Sequence, residues 1–386
     1  MNCHNDSTLS EGLLETLAEN GMDALPDVLR LLLNAAMLLE RQKHLGAGPY
    51  ERTSERVGHA NGFKDKTIQT RMGAIPLSVP QVREGGFYPS ALEKGQRSER
   101  ALKLALAEMY VQGVSTRKVA AVAEKLCGFE VSSAQVSRLA AEMDAVLEAW
   151  RSRPLGEFPY VYLDARYETV RVDGRMRDTA VLIALGVDER GKRQILGVSV
   201  ALSEAEVHWR DFLKGLVARG LSGVRLLVSD AHAGLCAARK AVFGSVCWQR
   251  CQFHLQQNAQ GYVTRQEQKA PLAASLRAIF NAGSQHEAET LLSKLAGDHR
   301  KNNPKLADWL EANVPESLTV FAFPEPHRRL LRTSNGLERV NQEVKRRTRV
   351  ARMFPNEASC LRLVSAILME ISEEWETGKA YLTFTP

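Results

Sequence analysis

The stretch Val224-Arg225-Leu226-Leu227-Val228-Ser229-Asp230 reads as a short apolar strand that ends on an aspartate. A helix is expected on either side of it, Glu204 to Arg219 before and Ala233 to Phe243 after. Further upstream, Tyr160 to Val172, Met176 to Val187 and Arg193 to Ala201 are β-rich runs joined by turns holding Asp173-Gly174 and Asp188-Glu189-Arg190-Gly191. One more short strand is expected around Val246 to Cys251. From His254 to about Pro326 the pattern is helical and polar, and the segment is too long for a loop.

The order β-β-β-α-β-α-β predicts an α/β domain of ribonuclease-H-like type over residues 154–386, with an all-helical insertion at about 255–327. Other mixed three-layer folds share that order, so the placement of acidic residues carries the rest of the argument. In Tyr160-Val161-Tyr162-Leu163-Asp164-Ala165-Arg166-Tyr167 the period of two sets Asp164 on the face opposite Val161, Leu163 and Ala165. Aspartate is depleted in strands and costly to bury without a partner or an ion. On a parallel neighbouring strand, Asp230 falls at the carboxyl end, where open α/β sheets place their ligands. A plainer reading of Asp230 is a cap for the helix that follows.

Glu338 is the third acid. Asn335-Gly336-Leu337-Glu338 fits a capping box with Asn335 as the cap. Against that, Leu337, Val340 and Val344 form an apolar stripe, while Glu338, Asn341 and Lys345 line another face. Glu343 lies roughly 140° around the helix from Glu338 and stands in reserve. Three such carboxylates suit Mg²⁺, with Mn²⁺ able to substitute, because these ions take hard oxygen ligands. Two ions about 3.5 to 4 Å apart can serve the attacking and the leaving oxygen of a phosphodiester in line. Asp164, Asp230 and Glu338 are thus the expected catalytic and metal-binding residues.

The chain has 51 Lys and Arg against 45 Asp and Glu, a net charge of +6 that matters only where it is concentrated. It is concentrated between Arg328 and Arg352, with nine basic residues against two acids. Arg339, Lys345, Arg346, Arg347 and Arg349 are expected to contact phosphates and to make binding salt-dependent.

Residues 1–98 read as an N-terminal region of helices and a hairpin, for DNA binding or dimerisation, with Pro26 starting a helix and Met72-Gly73-Ala74 turning a hairpin. Residues 99–153 carry three helices, Ala101 to Val111, Thr116 to Leu126 and Ala134 to Trp150, each break holding a glycine and a serine suited to caps. This suits a helix-turn-helix, with Arg117, Lys118, Gln135, Ser137 and Arg138 facing DNA and the third helix in the major groove. A plain three-helix bundle fits the same pattern.

Leu29 to Leu39, the most apolar stretch, is interrupted by Arg30 and Asn34 and is too short to span a bilayer. Met1 to Glu11 has no signal-peptide pattern, and six scattered cysteines form no disulfide framework. The expected setting is a reducing cytoplasm, with no membrane partner. Cys251 and His254 stand three apart, yet no second pair of zinc-ligand spacing follows, so zinc is not expected here. Their expected role, like that of His232, is local: a hydrogen bond near the acids or the DNA, with Cys251 packing as a small apolar group.

Several motifs resemble, in order and spacing, the mutator-type DDE transposases of bacterial insertion sequences. They are Met109 to Arg117, Leu163 to Tyr167, Val228 to Leu235, Trp248 to His254, Leu331 to Arg339 and Phe354-Pro355-Asn356. The resemblance implies that Asp164, Asp230 and Glu338 hold the catalytic metals and that the helical segment is the family's insertion domain. It further implies recognition of terminal inverted repeats, strand cleavage and strand transfer on double-stranded DNA, a homodimeric or larger complex, and often a circular intermediate. Two alternatives remain open at this point: a DNA-binding regulator with an inactive domain, and a structure-selective nuclease of the same fold.

Overall fold

A computed structural model describes residues 7–83, 86–92, 94 and 97–384, with side chains from residue 13 onward. The polar stretch Met1 to Asp6, including Cys3, lies outside them. The chain divides into two compact units, residues 1–142 and 143–386.

The first unit holds helices α1 (Ser7–Asn20) and α2 (Leu25–Leu45), the antiparallel hairpin β1 (Ala60–Thr70) and β2 (Gly73–Val82), and helices α3 (Arg100–Val111), α4 (Thr116–Cys127) and α5 (Ser133–Ala141). Helix α2 carries Pro26 in its first turn, where the lost N–H costs nothing, and ends at left-handed Gly46, where a Cβ would meet the Glu55 carbonyl oxygen at 2.4 Å. It packs on β2 around Met37, Ile75, Leu77 and Val79. A separate small core joins α3, α4 and α5 through Leu102, Leu106, Val119, Ala123 and Val136.

Sequence periodicity predicted one helix from Ala134 to Trp150, but it breaks after Ala141, and α6 (Asp144–Ser152) begins the second unit. The reason is a distant anchor. Arg362, on α15 (Glu357–Thr377), grips the Asp144 carboxylate through two hydrogen bonds of 2.6 and 2.7 Å, and Arg151 reaches Ser365 at 3.0 Å. These contacts fix α6 on α15, with an acid in its first turn where the helix dipole favours one.

The second unit is α/β, built on a five-stranded mixed sheet. Strands β3 (Tyr160–Val172), β4 (Arg175–Val187) and β5 (Arg193–Ala201) form an antiparallel meander. The turn at Asp173 and Gly174, both at positive φ, matches the twist of the flanking strands. Strands β6 (Leu226–Ser229) and β7 (Cys247–Arg250) then add parallel to β3, giving the spatial order β5-β4-β3-β6-β7. Helices α7 (Glu206–Ala218) and α8 (Ala233–Val242) cover one face through Val161, Leu163, Leu182, Trp209, Leu213 and Leu235. At Gly234 a Cβ would stand 2.1 Å from the Glu204 carbonyl oxygen, so only glycine lets α8 start this close to the loop before α7.

The long polar segment is helical, as its pattern predicted: α9 (Gln252–Gln260), α10 (Gln266–Phe280), α11 (Gln285–Arg300) and α12 (Pro304–Asn313), followed by two short 3₁₀ turns. Buried Gln249 ties it to the sheet, donating to the Ser317 carbonyl at 2.6 Å and accepting from Val320 N–H at 2.7 Å. The chain returns to the sheet through α13 (Glu325–Leu331) and α14 (Asn335–Thr348). No helix among the described residues is long and apolar enough to cross a membrane.

Candidate active site

Alternation along β3 sends Val161 and Leu163 into the core under α7 and α8, and sends the even-numbered side chains to the other face. There they meet α13 and α14 in a ladder. Tyr162 Oη donates to the Leu330 carbonyl at 3.0 Å, and Asp164 Oδ2 accepts from Asn341 Nδ2 at 2.8 Å. Arg166 donates to the Asn341 carbonyl and pairs with Glu168 at 2.5 Å, while Glu168 accepts from Thr348 Oγ1 at 2.9 Å. The ladder holds α14 alongside β3, which brings Glu338, one turn before Asn341, to the acid on the strand.

Asp230 directly follows β6. Tyr162 pairs with Val228, the last rung between β3 and β6, so Asp164 and Asp230 each lie two residues beyond it, at the carboxyl ends of the paired segments. Asp230 Oδ1 accepts the N–H of His232 at 3.1 Å, which holds the turn, while α8 begins with no side-chain cap. The His232 ring lies not on Asp230 but 3.8 Å from Glu204.

Two further contacts close the site. Cys251 N–H donates to the Ser229 carbonyl at 2.7 Å, and Gln252 N–H donates to the Arg332 carbonyl at 3.0 Å, so the start of α9 is stapled both to β6 and to the approach of α14. Fully buried Cys251 Sγ accepts from the backbone N–H and the hydroxyl of Ser334, both at 3.4 Å. His254 and Glu338, each in the first turn of its helix, thereby face one another, and a ligand atom from each of Cys251, His254 and Glu338 lies within 4.8 Å of the other two. Ser334, not Asn335, occupies the cap position of α14, and it makes no side-chain cap bond, so the capping box expected from Asn335 and Glu338 does not form.

The electrostatics record the crowding. Burial pushes the Asp164 carboxyl up to about 7; His254 pulls the other way, while Asp230 and Glu338 add to the rise. Burial also raises the Glu338 carboxyl, again opposed by His254. The Cys251 thiol lifts the His254 imidazole to about 9 against the effect of burial. For Cys251 itself burial opposes ionisation, yet hydrogen bonds with His254 and Ser334 outweigh it and bring the thiol below its usual range. Glu338 Oε1 and Asn341 Oδ1 are buried without a hydrogen-bond partner. Orphaned oxygens beside a carboxyl at 9% exposure fit the hard-oxygen donor set of a divalent cation.

The remaining residues singled out by sequence divide by their surroundings. Arg339, Lys345 and Arg349 are exposed, and Arg346 is exposed but paired with Glu343 at 2.7 Å. Arg347 is 7% exposed, its guanidinium held by Glu343 at 2.7 Å and Glu370 at 2.5 Å, which puts this charge inside the protein. Glu343 is occupied by those two arginines and takes no part in the acid cluster. In the first unit Arg117, Lys118, Ser137 and Arg138 are exposed, whereas the Gln135 side-chain oxygen accepts the Ser132 N–H at 2.7 Å in a capping box. Sequence reasoning placed Asn341 on the polar face of its helix without assigning it a partner; the signal was its spacing of one turn from Glu338. Ser334, which bridges to Cys251, had no signal. Phe354 and Asn356 have structural roles: Phe354 bridges to β3 beside Val170, and Asn356 caps α15.

An acidic cluster at the carboxyl edge of a mixed sheet, closed by a helix from the far end of the domain, defines the class of site. The chain belongs to the mutator family of transposases, whose model, described as "Transposase, Mutator family", matches residues 3–378. It is 60% identical to the transposase for insertion sequence element IS406 of Burkholderia multivorans, covering 97% of both chains. The transposase for ISRM5 of Rhizobium meliloti is 43% identical over 97% of this chain and 94% of its own. The transposase for IS256 in transposon Tn4001 of Staphylococcus aureus is 34% identical over 98% of each.

Proposed function

We propose that this protein is an insertion-sequence transposase whose second unit is a ribonuclease-H-like DDE domain cutting and joining DNA with Mg²⁺, Mn²⁺ substituting. The observation that carries this reading is the electrostatic influence of Asp230 and Glu338 on buried Asp164, three acids far apart in sequence, beside unpartnered buried oxygens of Glu338 and Asn341. Those three side chains would hold the metal. When bound, Mg²⁺ supplies Lewis-acid polarisation of the attacking and the leaving oxygen.

The chain's own residues prepare that chemistry. Asn341 fixes the Asp164 rotamer through its 2.8 Å hydrogen bond. The β3–α14 ladder keeps Glu338 at the acids, and the His254 cation offsets part of their charge. Water first attacks phosphorus at the element end and releases a 3′-hydroxyl. That hydroxyl then attacks a target phosphodiester, so each step breaks one P–O bond and forms another.

DNA double strands are the partner. The α4–turn–α5 segment acts as a helix-turn-helix reading the terminal inverted repeats, with Arg117, Lys118, Ser137 and Arg138 outward. Arg339, Lys345 and Arg349 contact the backbone near the cut, the working unit is a homodimer, and the site of action is the nucleoid in the cytoplasm.

The test uses the full chain with element-end DNA. Asp164→Asn should abolish Mg²⁺-dependent cleavage while leaving binding to the ends intact, and cleavage retained in that variant overturns the assignment. Wild-type protein that binds ends but never cuts would favour a regulator. Cutting without joining would favour a nuclease.

A further inference from the structure

We propose that Cys251, His254 and Glu338 form a second, thiophilic metal site that takes a zinc-class ion and, by claiming Glu338, switches off the acidic centre. The spacing of Cys251 and His254 alone lacks the second ligand pair of a sequence-local zinc site, but the fold supplies a third ligand from α14, 84 residues beyond His254.

The donor set is sulfur, imidazole nitrogen and carboxylate oxygen, with the three ligand atoms within 4.8 Å of one another. In a tetrahedral zinc site, with bonds of about 2.0 to 2.3 Å, such atoms stand about 3.5 Å apart. Side-chain rotation of roughly an ångström therefore closes the site and leaves its fourth position for water. The site is also built for a thiolate. Cys251 Sγ, at the start of α9, accepts two hydrogen bonds from Ser334, one from the backbone and one from the hydroxyl. Partners of this kind orient a ligand and stabilise its negative charge.

Two of the three ligand side chains also carry unsatisfied atoms, since His254 Nδ1 and Glu338 Oε1 are buried with no hydrogen-bond partner. One thiolate and one carboxylate balance the charge of a divalent ion. Mg²⁺ avoids sulfur, whereas zinc, cobalt and cadmium accept it, so the two kinds of ion sort between Cys251 and the aspartates. Glu338 belongs to both sets and serves one at a time.

Metal binding here stands independently of the DDE reading; only the inhibition rests on it. Full-length, chelator-stripped protein is titrated with Co²⁺ and the near-ultraviolet thiolate-to-cobalt charge-transfer band is recorded. The expected result is one equivalent bound, a band displaced by Zn²⁺ and untouched by Mg²⁺, and a loss of about 100-fold in cobalt affinity in Cys251→Ser. X-ray absorption at the zinc edge of wild-type protein should show one sulfur among nitrogen and oxygen neighbours, which keeps the test decisive if the variant does not fold. No band, an undiminished band in Cys251→Ser, or a sulfur-free zinc shell overturns the site. In the activity arm, Zn²⁺ should inhibit Mg²⁺-dependent cleavage by wild-type protein. Zinc bound through sulfur without inhibition upholds the site and overturns its competition for Glu338.

Discussion

Asp164 and Asp230 stand level with each other on neighbouring parallel strands, each two residues past the rung that joins Tyr162 to Val228. A parallel pair keeps its register without a turn between the strands, so nothing local in sequence sets these two acids together; the rung does. Burial is the main force that raises the Asp164 carboxyl to about 7, and the charges of Asp230 and Glu338 add to it.

Magnesium should therefore stabilise the fold. A ligand at roughly a hundredfold excess over its Kd contributes about 2.7 kcal/mol, which appears as a rise of a few degrees in the melting temperature. Chelator should reverse the rise. Asp164→Asn should abolish it, while its metal-free form melts at or above the wild-type value because a buried charge is gone. Calorimetry showing no magnesium shift in wild-type protein would speak against the metal site.

Asn341 should matter to metal binding although it is not one of the three acids. Removing a group that orients a metal ligand costs about 10- to 100-fold in affinity or activity, and Asn341→Ala should fall in that range with the fold intact. Isothermal titration with Mn²⁺ checks it. Wild-type affinity in Asn341→Ala would mean that the 2.8 Å bond to Asp164 is dispensable.

The Glu343 carboxyl is held down to about 2, first by Arg346 and then by Arg347, against an ordinary value of 4.5. A depressed carboxylate stabilises the fold above its ordinary value, and that contribution fades as pH falls toward the folded one. Glu343→Gln should thus lower stability by about 1 kcal/mol at neutral pH, a figure discounted for the partly exposed pair. The difference from wild type should close between pH 4.5 and about 2 in denaturant titrations. A gap that persists at the acid end would refute the pairing.

The basic run on α14 should separate by burial. Lys345→Ala and Arg349→Ala should leave stability unchanged and reduce the salt dependence of DNA binding by roughly one phosphate each. Arg347→Ala should instead destabilise by about 1 kcal/mol or more, since it removes a buried guanidinium that bridges Glu343 and Glu370. Equal effects of the three on the salt slope would show Arg347 reaching DNA.

Sequence legibility followed the range of the physics. Strands β3, β4 and β5 were readable almost to the residue, because alternation and the Asp173-Gly174 turn are local signals. The break between α5 and α6 was not, since Arg362, some 220 residues away, sets it. Arg347 read as one more exposed charge in a run until Glu370, on another helix, covered it.

By itself the sequence determined the family, the kinds of element, their order, and the acids that are candidates for chemistry, because motif, period and residue type are written locally. Tertiary structure alone decided that Asp164 and Asp230 share a level, that Asn341 and not Glu343 serves the acids, and that Cys251 and His254 look onto Glu338. Those facts depend on strand register and on hydrogen bonds between residues more than sixty positions apart, and a linear pattern carries no record of either.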